Sequence, residues 1–498
     1  MKKIKHVWLL VLVAGLTACN VNNSLDEIAA TPQTVVPLSA GTADFSKYVA
    51  VGASFTAGVS DGTVFLASQS SSFPHIMSTM MANAGGGAFT QPLVSDNIGG
   101  LLLGGTQISN PRLFFNGSGP AVLTGVSTTE VSNILTGPFN NMGVPGAKSF
   151  HLVAPGYGGL ANVPLGAANP YYARMASSPT ATVLADAIAQ NPTFFTVSEI
   201  GGNDVLSYAT TGGIGVVQTS VDPTTYGPND ITAPALFNTV FTNVINTLTA
   251  GGAKGVVLTI PSIVNLPFFT TVPYNAIPLD ATTATQVNAG YATYNSGLQL
   301  AVANGWITAA EMAKRTISFA AGQNAVVIID EDLTDLTGFG IPSYRQTTAS
   351  DFLVLTSSSF LGTTVGGNPL LINGVTVPLA DNWVLTPEEQ NNIQIAINAY
   401  NTVITSVGNA KGLAVVDLNQ LLTDAAGSGT QFDEYTMTAN LVFGGLISLD
   451  GIHLTSRGYA LMANKILEAI DTTYGSNFKA SGNIAKVSNY PTNYPPGI

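Results

Sequence analysis

A serine at the end of a predicted strand is the first residue in this chain whose type and position could support catalysis. Ser54 lies among small residues, directly after a short apolar strand predicted at residues 47–51. A nucleophilic serine needs its hydroxyl exposed beyond the carboxyl end of a strand, because ligands bind there in open α/β sheets. Ser54 is therefore a candidate nucleophile.

A nearby histidine and aspartate could supply the base that such a serine requires. Of the four histidines, His6 lies at the extreme N-terminus, and His75 and His151 have no acidic residue close in sequence. His453 follows Asp450 by three residues, so the carboxylate can hold one ring nitrogen and leave the other free to take a proton from serine. The pair predicts a general base with its orienting acid.

Two further polar segments lie in predicted loops. The run at 141–147 contains Gly143 and Gly146, whose small size allows a ligand close to the backbone. The run Gly-Gly-Asn-Asp at 201–204 directly follows a predicted strand and places Asn203 beyond its end. Each segment alone is typical of an ordinary turn, so their interest depends on their occurrence together.

The four segments, taken in order, resemble the GDSL/SGNH hydrolase family, which is named for an invariant serine, glycine, asparagine and histidine in separate blocks. Ser54 matches the nucleophile, although its block reads Gly-Ala-Ser-Phe instead of Gly-Asp-Ser-Leu. Asp450 and His453 match the Asp-x-x-His of the last block. The resemblance implies Ser54, Asp450 and His453 as the catalytic residues.

The resemblance also implies an oxyanion hole formed by the N–H groups of Ser54 and Gly146, with Gly143 as the alternative, and by the amide of Asn203. The implied activity is that of a serine ester hydrolase, a lipase, esterase or acylhydrolase that forms an acyl-serine intermediate without a cofactor. The expected substrate is a small-molecule, lipid or acylated glycan ester. The alternatives are a carbohydrate O-deacetylase of the same fold and a non-catalytic surface binding lipoprotein.

Other ligand-binding motifs are incomplete. Gly143 begins a run that ends in Ala-Lys-Ser, without the Gly-Lys-Ser/Thr of a phosphate loop. The run Asp330, Glu331 and Asp332 lacks the glycine of a calcium loop and is predicted to be a solvated strand end. One cysteine and scattered histidines leave no zinc site. The sequence therefore predicts no bound metal.

Strands and helices alternate around these segments, as expected for a parallel α/β sheet. The apolar run at 255–260 is typical of a strand covered on both faces, and a capping box at 386–389 predicts a helix start. The predicted strands are 47–51, 193–197, 255–260 and 413–417, and the predicted helices are 72–84, 180–190, 236–248, one beginning at 386, and 456–470. For this α/β class, the resemblance implies a flavodoxin-like three-layer parallel sheet, the SGNH hydrolase fold.

The N-terminus has the pattern of a bacterial lipoprotein leader. Three lysines precede a short apolar run at 7–15, and Leu-Thr-Ala-Cys at 16–19 resembles a lipobox with Cys19 as the lipidated residue. Cys19 is the only cysteine, so it cannot form an internal disulfide. The prediction is an exported lipoprotein of the bacterial cell envelope, anchored through Cys19 to a membrane, at the outer membrane or cell surface.

The pattern divides the chain into regions. Residues 1–18 are the signal peptide, 19–44 the lipidated tether, 45–471 the hydrolase domain and 472–498 a polar C-terminal tail. A stretch rich in Thr, Pro and Gly at about 262–385 lacks the strand–helix alternation and is predicted to be a large insertion.

Composition excludes several classes of protein. Only 9% of the residues are charged, against about 25% in an average soluble domain, while 46% are hydrophobic. Such a chain can bury a large core, which excludes global disorder. Loss of residues 1–18 removes three lysines and no acid, so the net charge changes from −12 to −15. The acidic balance gives no basic footprint for nucleic acid.

Overall fold

A parallel five-stranded sheet forms the centre of the fold. The computed structural model describes residues 36–498, so the predicted signal peptide, Cys19 and most of the predicted tether lie outside the described residues. Within residues 36–498 the strands of this sheet are β1 (Tyr48–Gly52), β2 (Asn141–Gly143), β3 (Phe194–Ser198), β4 (Lys254–Leu258) and β5 (Ala414–Val416). They lie side by side in the order 2-1-3-4-5, and each neighbouring pair is parallel.

Apolar residues on both faces explain why these segments form the interior of a sheet. Every residue of β1 and of β3 is buried. Val51 of β1 is in register with Met142 on one side and Val197 on the other. A strand covered on both faces needs such a continuous apolar run. The predicted α/β class with a parallel sheet is confirmed.

Helices flank the sheet, an arrangement compatible with a three-layer α/β fold. In chain order the helices used below are α1 (Ser54–Ala57), α2 (Phe73–Ala82), α3 (Val183–Ile188), α4 (Asn203–Thr210), α5 (Pro234–Thr249), α6 (Ala281–Ala303), α7 (Ala309–Arg315), α8 (Pro387–Ala410), α9 (Leu418–Ala426) and α10 (Ser456–Tyr474). Helices α5 and α8 pack together, as do α2 and α10, and both α8 and α10 contact β4 and β5. No helix within residues 36–498 combines the length and apolar character required to cross a bilayer.

The predicted capping box of α8 is present in the hydrogen bond that the backbone of Thr386 donates to the side chain of Glu389. The backbone N–H of Thr386 donates to a carboxylate oxygen of Glu389 at 2.6 Å, and Pro387 occupies the first helical position. Ile393, Ile397 and Tyr400 recur at helical spacing and are buried against the core. The start of α8 at this point is therefore specified locally by its own sequence.

The predicted insertion contains a long helix that the sequence analysis does not anticipate. Helix α6 has 23 residues and begins with the Asp280 side chain accepting from the N–H of Thr283. Short antiparallel pairs accompany it, joining Ile277–Leu279 with Gly322–Asn324, Val327–Ile329 with Tyr344–Gln346 and Phe352–Leu353 with Val384–Leu385. Val287, Tyr291 and Val327 belong to an apolar cluster in this region that is separate from the main core.

The region between 85 and 140 consists of loops with short strands. Its hairpins pair Leu101–Leu103 with Thr106–Ser109 and Leu113–Phe115 with Pro120–Val122. A further hairpin pairs Thr430–Phe432 with Tyr435–Met437 near the end of the chain.

Both ends of the described chain pack more closely than a tether and a tail would. Ala43, in the segment predicted as a tether, is buried in the main core. Phe478, in the segment predicted as a tail, is fully buried in the same core. The fully buried Arg112 donates to the backbone carbonyls of Tyr494 and Pro495. Residues 472–495 are therefore integrated into the fold, because their scattered apolar side chains and backbone carbonyls have partners in the core.

Candidate active site

Ser54 lies in a tight turn between β1 and α1. It is the first residue of α1 and is 7% exposed, and its carbonyl accepts from the N–H of Val59 at 2.9 Å. Glycine is required at Gly52, because a Cβ there would lie 2.1 Å from the hydroxyl of Thr56. At Gly58, a φ of 81° ends the helix after one turn. Small residues thus place the serine at the carboxyl end of the sheet.

Asp450 and His453 form a hydrogen-bonded pair in the turn before α10. His453 Nδ1 lies 2.7 Å from Asp450 Oδ2. Because an ionised carboxylate only accepts hydrogen bonds, Nδ1 carries a proton, and in the neutral form of the ring Nε2 is then the nitrogen that can accept one. The side chains of His453 and Asp450 are 15% and 11% exposed, so the pair is mostly buried but reaches the solvent.

Asp450 is held by several donors besides the imidazole. Its Oδ1 accepts from the backbone N–H groups of Ile452 and His453, each at 2.8 Å, and its Oδ2 accepts from the N–H of Gly62 at 2.8 Å. Burial by itself raises the pKa of Asp450, but the charge and hydrogen bonds of His453 outweigh it and lower the pKa below its ordinary value of 3.8. The carboxylate therefore stays ionised and fixes the orientation of the ring.

Asn203 lies at the first position of α4, immediately beyond β3. Its side-chain amide donates one hydrogen bond to the carbonyl of Ala147 at 3.0 Å. An asparagine amide has two N–H bonds, so the second remains available for a ligand. The neighbouring Asp204 is fully buried and binds the backbone N–H and the hydroxyl of Ser149, at 2.8 and 2.6 Å. Asp204 thus fastens α4 to the loop that carries Gly146.

The two candidate glycines of that loop differ in their surroundings. Gly143 is buried in β2, its N–H donates to Asn141 Oδ1 at 3.0 Å, and a Cβ there would lie 2.3 Å from the backbone nitrogen of Ala57. Gly146 has a φ of 78°, and a Cβ at that position would meet nothing within 4 Å. Gly146 therefore faces open space beside Asn203, whereas the N–H of Gly143 is already used.

The sheet brings the sequence-predicted residues to one edge, the one formed by the carboxyl ends of its strands. Ser54, Gly146 and Asn203 follow the carboxyl ends of β1, β2 and β3, which are adjacent strands. The ring of Phe55, next to Ser54, packs edge-on against the ring of His453 with centroids 5.9 Å apart. This edge contains the point where the strand order reverses, where ligands bind in open α/β sheets.

A groove beside this edge is large enough for a small ligand. Its volume is about 560 Å³, and its lining includes Gly146, Asn203 and Ile452, the neighbour of His453. Its other lining residues include the apolar or aromatic Phe150, Leu206, Tyr226 and Pro228 and the polar Lys148, His151, Ser207 and Thr210. Small-molecule sites combine apolar walls with polar groups in this way.

Glu199 is a residue of this site that the sequence analysis does not identify. Its Oε1 accepts from the backbone N–H groups of Ala53 and Thr56, at 2.6 and 3.0 Å, and so holds the turn around Ser54. Glu199 is 6% exposed and has a φ of 45°. Burial raises its pKa from 4.5 to about 7. The signal for it was a charged residue directly after an apolar strand in a chain with few charges.

Asp61 is a second such residue and joins the serine turn to the histidine turn. Its Oδ1 accepts from the N–H of Leu449, and its N–H donates to the hydroxyl of Ser448, both at 3.1 Å. Burial, followed by the negative charge of Asp450, raises the pKa of Asp61 to about 7. Asp61 therefore positions the segment that carries the Asp450–His453 pair.

The carboxylate groups that could hold a metal in the described chain do not line this groove. Within residues 36–498, the cluster with suitable spacing consists of Glu331, Asp381 and Glu389. The expectation of a solvated strand end at 330–332 is wrong for Asp330, which is fully buried and bonded to Arg345. A buried guanidinium supplied from an adjacent strand compensates its charge, a contact that is not visible in local sequence.

Comparison with known proteins does not assign this chain to a family. A scan against protein-family models, a search of curated proteins and a search of solved structures each found no significant match to this chain. The chemistry of the site is therefore inferred from its own residues.

Proposed function

We propose that this protein is a serine ester hydrolase of the GDSL/SGNH type that cleaves carboxylic esters through an acyl-serine intermediate. The observation that carries the proposal is the Asp450–His453 hydrogen bond of 2.7 Å at the strand edge where Ser54 lies. A histidine whose far nitrogen is fixed by a carboxylate has the tautomer that a general base needs.

The first step forms the acyl-enzyme. His453 Nε2 takes the hydroxyl proton of Ser54 while the serine oxygen attacks the ester carbonyl carbon. The carbonyl π electrons move to oxygen, and the tetrahedral intermediate collapses with loss of the alcohol, which receives the proton from His453. Asp450 stabilises the imidazolium that exists between the two proton transfers.

The negative charge that develops on the carbonyl oxygen needs hydrogen-bond donors close to that oxygen. The proposed donors are the N–H groups of Ser54 and Gly146 and the free amide N–H of Asn203. One such donor contributes about 3 kcal/mol to transition-state stabilisation. The hydrogen bond from Asn203 to Ala147 favours this role, because it holds the amide beside the loop of Gly146. In the second step, His453 activates water, which releases the acid and regenerates Ser54.

The strand order supports the finer assignment of the fold. The order 2-1-3-4-5 is that of flavodoxin-like sheets, in which ligands bind beside the first and third strands. The SGNH hydrolase fold inferred from the sequence motifs has this kind of three-layer sheet. Ser54 and Asn203 follow those two strands, which is the placement that the proposal requires.

The surroundings of the site favour neutral substrates with an acyl chain. Aromatic and aliphatic side chains form part of the groove wall, and the net charge of −15 expected after leader cleavage opposes the approach of strongly anionic molecules. We therefore infer lipolytic or carboxylic-ester hydrolysis. The proposal includes export and lipid attachment at Cys19, which mass spectrometry of the mature N-terminus tests directly.

Replacement of the nucleophile tests the proposal. We expect Ser54→Ala to lower the turnover of p-nitrophenyl butyrate by about 10⁴-fold or more with the fold unchanged. Ser46→Ala is the matched control, since Ser46 is an exposed serine before the other end of β1. Turnover by Ser54→Ala equal to that of Ser46→Ala would contradict the proposal.

A substrate panel distinguishes the remaining alternatives. Acyl esters from acetate to palmitate should be hydrolysed, with a preference for one chain length, if the groove binds the acyl group. Release of acetate from acetylated glycans, with no hydrolysis of longer esters, would instead support a carbohydrate deacetylase. Absence of both activities would favour the non-catalytic binding protein.

A further inference from the structure

Three carboxylates meet where the predicted insertion contacts the first turn of α8. Glu331 follows the strand Val327–Ile329, Asp381 lies shortly before α8, and Glu389 lies within its first turn. One carboxylate oxygen from each lies within 4.8 Å of those of the other two. We call these three residues the acidic cluster. None of the three lines the groove at Gly146 and Asn203, and the cluster has no part in the proposed ester hydrolysis.

Glu389 provides the observation that distinguishes this cluster from a chance group of surface acids. The residue is 3% exposed, and its Oε2 accepts from the N–H of Thr386. Its Oε1 is buried without a hydrogen-bond partner among the described residues. Glycine at Gly213 allows this close packing, because a Cβ there would lie 1.8 Å from Oε1. A buried carboxylate oxygen without a donor is costly unless a ligand satisfies it.

The neighbouring cations do not neutralise the cluster. Arg345 bonds to Asp330 and Asp351, and Lys314 lies 3.5 Å from Asp330 and 3.6 Å from Glu388. Among the described residues, no ion pair involves a member of the acidic cluster. Three further acids adjoin it in sequence, and one of these, Asp332, has no ion pair within residues 36–498. A divalent cation among the three carboxylates would remove their mutual repulsion.

We infer that the acidic cluster binds a Ca²⁺ ion and thereby joins the insertion to helix α8. The donor set consists of carboxylate oxygens alone, which suits a hard cation and neither zinc nor copper. Ca²⁺ lies about 2.3–2.6 Å from its oxygen ligands, so two ligands of one ion can be up to about 5 Å apart. The observed spread of 4.8 Å fits this limit. Mg²⁺, with ligands at about 2.0–2.1 Å, would require the group to contract.

The ligands come from three separate parts of the chain, so no calcium-loop motif precedes them. Glu331 is one residue of the acidic run that lacks a loop glycine, and the other two lie about fifty residues further along. The site therefore forms only when the insertion folds against α8. Ca²⁺ binding is then coupled to the stability of that contact.

Calcium titration of the full-length, chelator-treated protein tests the inference. We expect calorimetry with CaCl₂ to show one ion per chain with a Kd of about 10⁻⁴–10⁻³ M or tighter, and a rise in Tm of a few degrees at millimolar calcium. Glu331→Gln and Asp381→Asn should each weaken binding by about tenfold or more. Both residues are at least partly exposed, so these variants retain the fold.

The control is Glu434→Gln, the same change at an exposed glutamate on the hairpin near residue 433. It should bind calcium as the unaltered protein does. Absence of binding at about 10 mM Ca²⁺ would overturn the inference. Binding that is equally strong in Glu331→Gln and Glu434→Gln would also overturn it, as would a preference for Mg²⁺ over Ca²⁺.

Discussion

Replacement of Glu199 by glutamine and by alanine separates the hydrogen bonds that this buried carboxylate accepts from the effect of its titration. Its Oε1 accepts hydrogen bonds from the N–H groups of Ala53 and Thr56 on either side of Ser54. Glutamine keeps a carbonyl oxygen at this position, whereas alanine leaves both buried donors without an acceptor. We therefore expect Glu199→Ala to destabilise the protein and displace Ser54, and Glu199→Gln to preserve the turn.

The magnitudes follow from the contacts and the pKa. An unsatisfied buried donor costs about 1–3 kcal/mol, so alanine should lower the free energy of unfolding by about 2–6 kcal/mol. Burial raises the pKa of Glu199 from 4.5 to about 7. Because the folded pKa is the higher one, the stability of the unaltered protein falls as pH rises from about 4.5 to 7. The difference between the two pKa values corresponds to about 3 kcal/mol of stability lost over this pH range. Glutamine does not titrate, so Glu199→Gln should not show this loss.

Urea unfolding at pH 5 and pH 8, followed by circular dichroism, measures both effects. The matched control is Glu130→Ala, because Glu130 also accepts from two backbone N–H groups, those of Gly104 and Gly105, but at the surface. The reasoning is refuted if Glu199→Ala is no less stable than Glu130→Ala. It is also refuted if Glu199→Gln loses as much stability between the two pH values as the unaltered protein.

Three further outcomes are expected. Asp450→Asn should lower kcat by about 10³–10⁴-fold with little change in KM, which steady-state kinetics would show, because the imidazole loses its orienting charge. The lowered pKa of Asp450 contributes stability above about pH 4 that is lost as pH falls, so acid unfolding of Asp450→Asn should be flatter between about pH 4 and 2. Arg345→Met removes the guanidinium from the buried carboxylates of Asp330 and Asp351 and leaves only Lys314 beside Asp330, so calorimetry should show a loss of about 3–5 kcal/mol.

Features with a local cause were accessible from the sequence. The predicted strand at 193–197 corresponds to Phe194–Ser198, and the capping box at 386–389 begins α8. In both cases a few adjacent residues determine the element, through a continuous apolar run or through a backbone hydrogen bond. The pairing of Asp450 with His453 is similarly local, because three residues separate them.

Helix α6 has the apolar spacing of a helix, but the polar residues between its apolar positions make that spacing hard to recognise in the sequence. Ala284, Val287, Tyr291 and Leu298 recur at helical spacing and are buried, and Asp280 caps the first turn. Threonine, asparagine and glycine between them weaken the apolar stripe, so the segment resembles the loop-like sequence around it. Its stability comes from packing against the rest of the insertion, which overrides modest helix propensity.

Contacts between distant segments account for what the sequence could not predict. Glu199 reaches the turn of Ser54 from 143 positions away, and the buried Arg112 binds carbonyls of the last residues of the chain. The integration of residues 472–495 and the acidic cluster have the same origin. Such contacts depend on the complete fold, and no spacing in the sequence indicates them.

Covalent trapping of the nucleophile tests the central claim most directly. A fluorophosphonate reacts with a serine only when a base and an oxyanion hole activate it. We predict one label per chain, located on Ser54 by peptide mass spectrometry and absent from both Ser54→Ala and His453→Ala. Failure of the unaltered protein to react, or a label on any other serine, would contradict the assignment of a serine hydrolase centred on Ser54.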